Sequence, residues 1–305
     1  MNPRSFFSDR RVVVALATLC CLLWGSAYPA IKTGYALFGI AAGDVASKMV
    51  FAGYRFMFAG LLLLALSAAM RRKTFALDRG NLFPTILLGL TQTTLQYIFF
   101  YVGLAYTTGV KSSILNAATT FFSVLLAHFI YRNDRLNSNK LAGCLIGFAG
   151  VIVVNFSEDL LDFHFTLLGE GFVVIAMFIL SATSIYGKRL SQTMDSVVMA
   201  GYQLAIGGLV LVVAGHAFGG RLEGFTPEST ALLGYMVILS SAAYAIWTVL
   251  LKYNRVGLVA VFNLQIPIFG AVLSAIFLGE SVLEWKNVAA LALVCGGIWM
   301  VTRER

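Results

Sequence analysis

The chain has 305 residues, of which 59% are hydrophobic and 12% charged, with a mean hydropathy of +0.84. An ordinary soluble domain carries about 25% charged residues, so this composition excludes a soluble globular fold and specifies an integral membrane protein. The net charge of +8 would suit a nucleic-acid partner, but the basic residues are sorted by side of the membrane, which excludes that reading.

A spanning helix needs about 20 mostly apolar residues. Ten stretches meet this, at roughly 12–36, 46–70, 82–106, 110–131, 140–155, 166–188, 195–218, 229–251, 256–279 and 286–302. The predicted fold class is therefore an all-α polytopic membrane protein with ten transmembrane helices. With the N-terminus on the cytoplasmic side, sixteen of the 22 basic residues fall inside and four, Lys48, Lys111, Arg221 and Lys286, fall outside. Lys32 and Arg55 remain in or near the membrane. Excess Lys and Arg marks the cytoplasmic face, so both termini are expected there. The acidic stretch Glu158, Asp159, Asp162 then lies outside.

The second predicted helix carries Ala52-Gly53-Tyr54-Arg55-Phe56-Met57-Phe58-Ala59-Gly60-Leu61. The seventh carries Ala200-Gly201-Tyr202-Gln203-Leu204-Ala205-Ile206-Gly207-Gly208-Leu209, at an offset of 148 positions. Gly109 and Gly257 match at the same offset, as do Phe121 and Phe269. Lys140/Lys286 and Lys32/Lys188 extend the correspondence to the last and first helices of each half. A period this long is a duplicated half. The expected domains are residues 1–155 and 156–305, five helices each. Five is odd, so the second half enters the bilayer from the opposite face, which makes the two halves inverted repeats, a recurrent plan of secondary transporters.

The run Leu23-Trp24-Gly25-Ser26 followed by Lys32 resembles the opening of an EamA-type transporter of the drug/metabolite transporter superfamily. Arg55-Phe56, Leu145-Ile146-Gly147-Phe148-Ala149-Gly150-Val151, Gly187-Lys188-Arg189 and Phe277-Leu278-Gly279-Glu280 resemble later segments of that family. The resemblance covers nearly the whole chain. It departs at Tyr131-Arg132-Asn133-Asp134, where the first half would carry Leu-Gly-Glu, and at Thr119 opposite Pro267. It implies a carrier of amino acids, metabolites, nucleotide sugars or drugs.

Polar side chains deep in apolar spans are costly in lipid and mark candidate sites. Arg55 lies about 14 Å into its helix at 1.5 Å per residue. Its planar guanidinium suits bidentate binding of a carboxylate or phosphate, against the alternative of an internally bonded structural arginine. Its counterpart at the same offset is Gln203. Gln92 and Gln96 share one helix face, and Ser240 and Tyr244 occupy the matching positions of the eighth helix. Together they predict a polar strip along a central cavity, against plain interhelical hydrogen bonding. Trp24, Tyr101 and Tyr202 are candidate amphipathic lining, with Tyr54 and Tyr97 beside them, and Asn116 and Asn263 bring amides into the fourth and ninth helices. Pro29 and Pro267 free carbonyls inside helices and are hinge candidates. Trp247, Trp285 and Trp299 stand near span ends, where interfacial anchoring is expected. The spacings Gly143/Gly147 and Gly39/Gly43 suggest close helix packing.

The four cysteines sit in apolar runs without metal spacing, so neither a metal nor a cofactor is expected. No catalytic or nucleotide-binding motif occurs, and no carboxylate stands at the centre of a span. The reading that results is a secondary carrier in the cell inner (plasma) membrane, not an enzyme. It exports small metabolites such as amino acids by alternating access, as a monomer or weak homodimer, with a small-molecule substrate and membrane lipid as its partners. The rivals are a drug or nucleotide-sugar carrier and, in a different class, an intramembrane enzyme.

Overall fold

The computed structural model describes residues 3–72, 79–107, 112, 115–154, 156, 165–278 and 285–303. Among these, every regular element is helical. After a short turn of helix at Pro3–Phe7, the chain runs through α1 (Arg10–Leu37) and α2 (Val45–Ala69). Next comes α3, built from Arg79–Leu88, a π-helical Gly89–Leu95 and Gln96–Ala105, then α4 (Ala118–Ile130) and α5 (Ser138–Val154). Then come α6 (π-helical Leu167–Gly171 continuing as Phe172–Leu190), α7 (Ser196–Ala217) and α8 (Pro227–Tyr253). The last two are α9 (Val256–Ala260, a 3₁₀ stretch Val261–Gln265 and Ile266–Leu278) and α10 (Trp285–Arg303). Six of these, α1, α2, α6, α7, α8 and α9, are long and apolar enough to cross a membrane, and α4, α5 and the end of α10 are shorter apolar helices. Gly109, Lys111, Gly279, Glu280 and the stretch 157–164 lie outside the described residues, as do the side chains of Trp285 and Lys286.

Helix starts follow local chemistry. Asp9, Asp44 and Asp195 accept hydrogen bonds from the free N–H groups that open α1, α2 and α7. Thr226 forms a reciprocal capping box with Ser229 at α8, just ahead of Pro227 in the first turn.

The two similar stretches pack against each other. A Cβ added to Gly60 would lie 2.5 Å from the carbonyl oxygen of Gly201 and 2.2 Å from the nitrogen of Ala205. A Cβ added to Gly208 would lie 2.8 Å from the carbonyl oxygen of Gly53 and 2.3 Å from the nitrogen of Met57. The helices α2 and α7 therefore run antiparallel with their backbones in contact, which only small residues permit. The Gly60–Gly201 and Gly208–Gly53 contacts exchange when the two copies are exchanged. The helices α5 and α10 meet in a similar way, through Gly143 and Gly297.

Two glycine expectations resolve differently. Gly143 and Gly147 do sit at helix contacts, but a Cβ on Gly39 or Gly43 would meet nothing within 4 Å. The reason is local: Gly39 has φ 65° and ends α1 in the left-handed conformation, so it serves the turn rather than packing.

Candidate functional site

Two helix interruptions shape the interior. In α9, Pro267 has no N–H and its ring crowds the carbonyl four residues back, and the preceding Val261–Gln265 tightens into a 3₁₀ turn. Side chains from elsewhere take up backbone carbonyls there: Thr120 Oγ1 donates to Ala260 O at 3.1 Å and Cys21 Sγ to Phe262 O at 3.1 Å. In α3, the π-helical Gly89–Leu95 widens where it presses on α7, and Thr94 Oγ1 donates to Gly207 O at 2.9 Å. Such single-turn π segments often occur at functional sites. Gln92 lies within this turn and Gln96 directly follows it, and both face one interior space.

That space is a cavity of about 380 Å³. Trp24, Arg55, Gln92, Gln96, Tyr101, Asn116, Gln203, Tyr244 and Asn263 all line it. Nine of the eleven residues singled out from the sequence are thus brought together from both halves of the chain. Ser240 is fully buried behind the wall, where its Oγ accepts from Arg55 Nε at 2.6 Å and donates to Met236 O at 2.8 Å. It holds the arginine rather than facing the cavity. Tyr202 is half-buried and not part of the wall. It precedes Gln203 by one residue, about 100° around the helix, so when Gln203 faces the cavity Tyr202 cannot. Tyr54 is displaced from Arg55 in the same way, and its ring stacks near that of Phe58 at 6.0 Å.

Arg55 is the charged centre of this space. It is 4% exposed, its guanidinium carbon lies 5.0 Å from the Phe56 ring centroid, and its Nε is bonded to Ser240. Among the described residues its two terminal amino groups have no hydrogen-bond partner, and no Asp or Glu lines the cavity. Tyr35, Tyr101 and Tyr244 stand within electrostatic reach of it. Gln96 Oε1 and Gln203 Nε2 are buried without a partner among the described residues. Asn116 Nδ2 donates to the Tyr28 hydroxyl at 3.1 Å, and Gln92 Nε2 reaches Ser184 Oγ at 3.4 Å.

Trp247 departs from the interfacial position expected for it. It is 9% exposed, lines the cavity and packs edge-on to Trp24 at 5.1 Å, while Trp24 also meets Tyr244 at 5.7 Å. Its helix, α8, continues six residues further to Tyr253. At 3.6 residues per turn, that leaves Trp247 more than a turn from the end of its helix, with its ring turned into the bundle.

Sequence reasoning also missed Tyr28, Tyr35 and Lys188, which line the same cavity. The tyrosines carry no motif. Lys188 was visible only as part of Gly187-Lys188-Arg189 and through its correspondence with Lys32.

A second, polar cavity of about 750 Å³ adjoins the first, and Lys188 and Val256 line both. Its wall includes Arg4, Arg10, Arg189, Lys252 and Arg255, with the carboxylates of Asp9 and Asp134. Lys188 Nζ donates to Leu251 O at 2.7 Å and also to Asn254 O, tying the end of α6 to the link between α8 and α9. Asp134 is 2% exposed. Its Oδ2 accepts from the Gly257 N–H at 2.8 Å, and its Oδ1 from Lys140 Nζ at 2.7 Å. The residue that departs from the expected Leu-Gly-Glu pattern thus caps the start of α9 and pairs with α5.

The sequence model of the EamA-like transporter family matches residues 11–156 and 167–303. An uncharacterized transporter of Archaeoglobus fulgidus is 26% identical over 95% of this chain and 97% of its own length. A protein of Salmonella typhimurium named a probable amino-acid metabolite efflux pump is 26% identical over 93% of each chain. A protein solved by crystallography shares the fold, with a TM-score of 0.78 over 96% of each chain at 18% identity.

Proposed function

The chain belongs to the EamA-like transporter family, and we propose that it exports small metabolites such as amino acids by alternating access. The observation that carries this reading is the cavity around Arg55: a buried guanidinium with free donors and no carboxylate among the described lining residues. A buried unpaired charge is expensive, and a carboxylate on the substrate relieves that cost with a bidentate contact. The Salmonella typhimurium relative named a probable amino-acid metabolite efflux pump supports amino acids as the class.

The architecture proposed is two inverted repeats of five helices, residues 1–155 and 156–305, with both termini cytoplasmic. Three observations support it. The family model matches two stretches of similar length. The α2–α7 contact is its own image under exchange of the halves. In addition, α1 packs on α8 and α9, while α6 packs on α3 and α4, which is the same arrangement with the halves exchanged. Rocking of the repeats about the cavity would expose it alternately to either side. The test is flux of a panel of amino acids, nucleotide sugars and cationic drugs in proteoliposomes. Efflux of amino acids that Arg55→Gln abolishes supports the proposal; flux confined to the other two classes rejects it.

A further inference from the structure

We propose that the cavity is built for a zwitterion, Arg55 taking its carboxylate and the Gln96 amide oxygen its ammonium, and that it turns cations away. This rests on the carrier reading above and narrows its substrate to amino acids with uncharged side chains.

Arg55 has five N–H donors, and Ser240 engages the one on Nε. The terminal amino groups, unpartnered among the described residues, call for an anion. Gln96 poses the opposite demand. It is 4% exposed, it lines the cavity, and its Oε1 is buried without a donor among the described residues. A carboxylate alone would satisfy Arg55 and leave that oxygen bare. An amine alone would satisfy Gln96 and leave Arg55 uncompensated, while adding a further positive charge to a space of low dielectric that Arg55 and Lys188 already line. A ligand bearing both groups answers both demands. Because no Asp or Glu lines the cavity among the described residues, the ammonium is received by a neutral amide, a weaker partner than a carboxylate. The order of affinity is therefore zwitterion above anion, with cations far below. The apolar side chain has Trp24 and Tyr244 to pack against.

The experiment titrates the purified full-length protein with L-leucine, 4-methylpentanoate, 3-methylbutylamine and L-lysine by calorimetry. The second and third lack the ammonium and the carboxylate of leucine, respectively. Leucine is expected to bind about tenfold tighter than 4-methylpentanoate, the value of one charge-assisted hydrogen bond, with no binding of the two net cations. Gln96→Met is expected to erase the leucine advantage, and Arg55→Gln to weaken both ligands at least about tenfold. Equal binding of leucine and 4-methylpentanoate by the wild type overturns the assignment, as does binding of 3-methylbutylamine or lysine at leucine strength. The wild-type series decides even where a variant fails to fold. If none of the four binds while the panel shows efflux of other amino acids, the zwitterion assignment fails and the carrier reading stands. If leucine binds but nothing is transported, the carrier reading fails and the assignment stands.

Discussion

Arg55 Nε and Ser240 Oγ meet at 2.6 Å, joining the middle of α2 to the middle of α8. The serine is fully buried and also donates to its own helix at Met236 O, so the guanidinium is held at one corner, its other donors without a partner among the described residues. Ser240→Ala removes this contact. A hydrogen bond to a charged group is worth about 1.5–3 kcal/mol. The expected result is a lower melting temperature and at least about tenfold weaker amino-acid binding, both measured on purified protein; unchanged affinity would separate the serine from the site.

Gly60→Ala forces a Cβ to within 2.2 Å of the Ala205 nitrogen, whereas Gly234 has nothing within 4 Å of an added Cβ. Overpacking costs about 1–3 kcal/mol. Gly60→Ala is expected to melt earlier than wild type and Gly234→Ala no earlier, by thermal unfolding in detergent.

Asp134 and Lys140 form a buried ion pair at 2.7 Å. Breaking one partner of such a pair costs about 3–5 kcal/mol. Asp134→Asn keeps an acceptor for the Gly257 N–H and loses the charge, so it is expected to be less destabilising than Asp134→Ala in the same thermal assay. Equal loss in both variants would show that the ion pair alone matters.

Pro267→Ala restores a backbone N–H at the break in α9 and favours a continuous helix. Slower turnover with nearly unchanged substrate affinity is expected in proteoliposomes. A turnover rate equal to wild type would remove Pro267 as a hinge.

Reporters fused after Arg72 and after Arg189 are expected to read cytoplasm, because that orientation places sixteen of the 22 basic residues on the cytoplasmic face. A reporter inserted between 157 and 164 is expected to read the opposite face. The same reading at all three positions would refute the topology.

Composition and hydropathy alone determined a helical membrane protein, because an apolar chain has few other ways to satisfy its backbone in lipid. The offset of 148 between Ala52 and Ala200 also pointed to a duplication, and polar residues in apolar runs pointed to Arg55, Gln92, Gln96 and Gln203. Hydropathy reports depth and periodicity, but not which helix lies beside which. Only the tertiary structure decided that Ser240 supports Arg55 from behind, that Tyr202 turns away, and that Trp247 faces the cavity. Pro267 marked the break in α9, but the π turn in α3 was illegible, because it answers to a contact from another helix, Gly207 against Thr93.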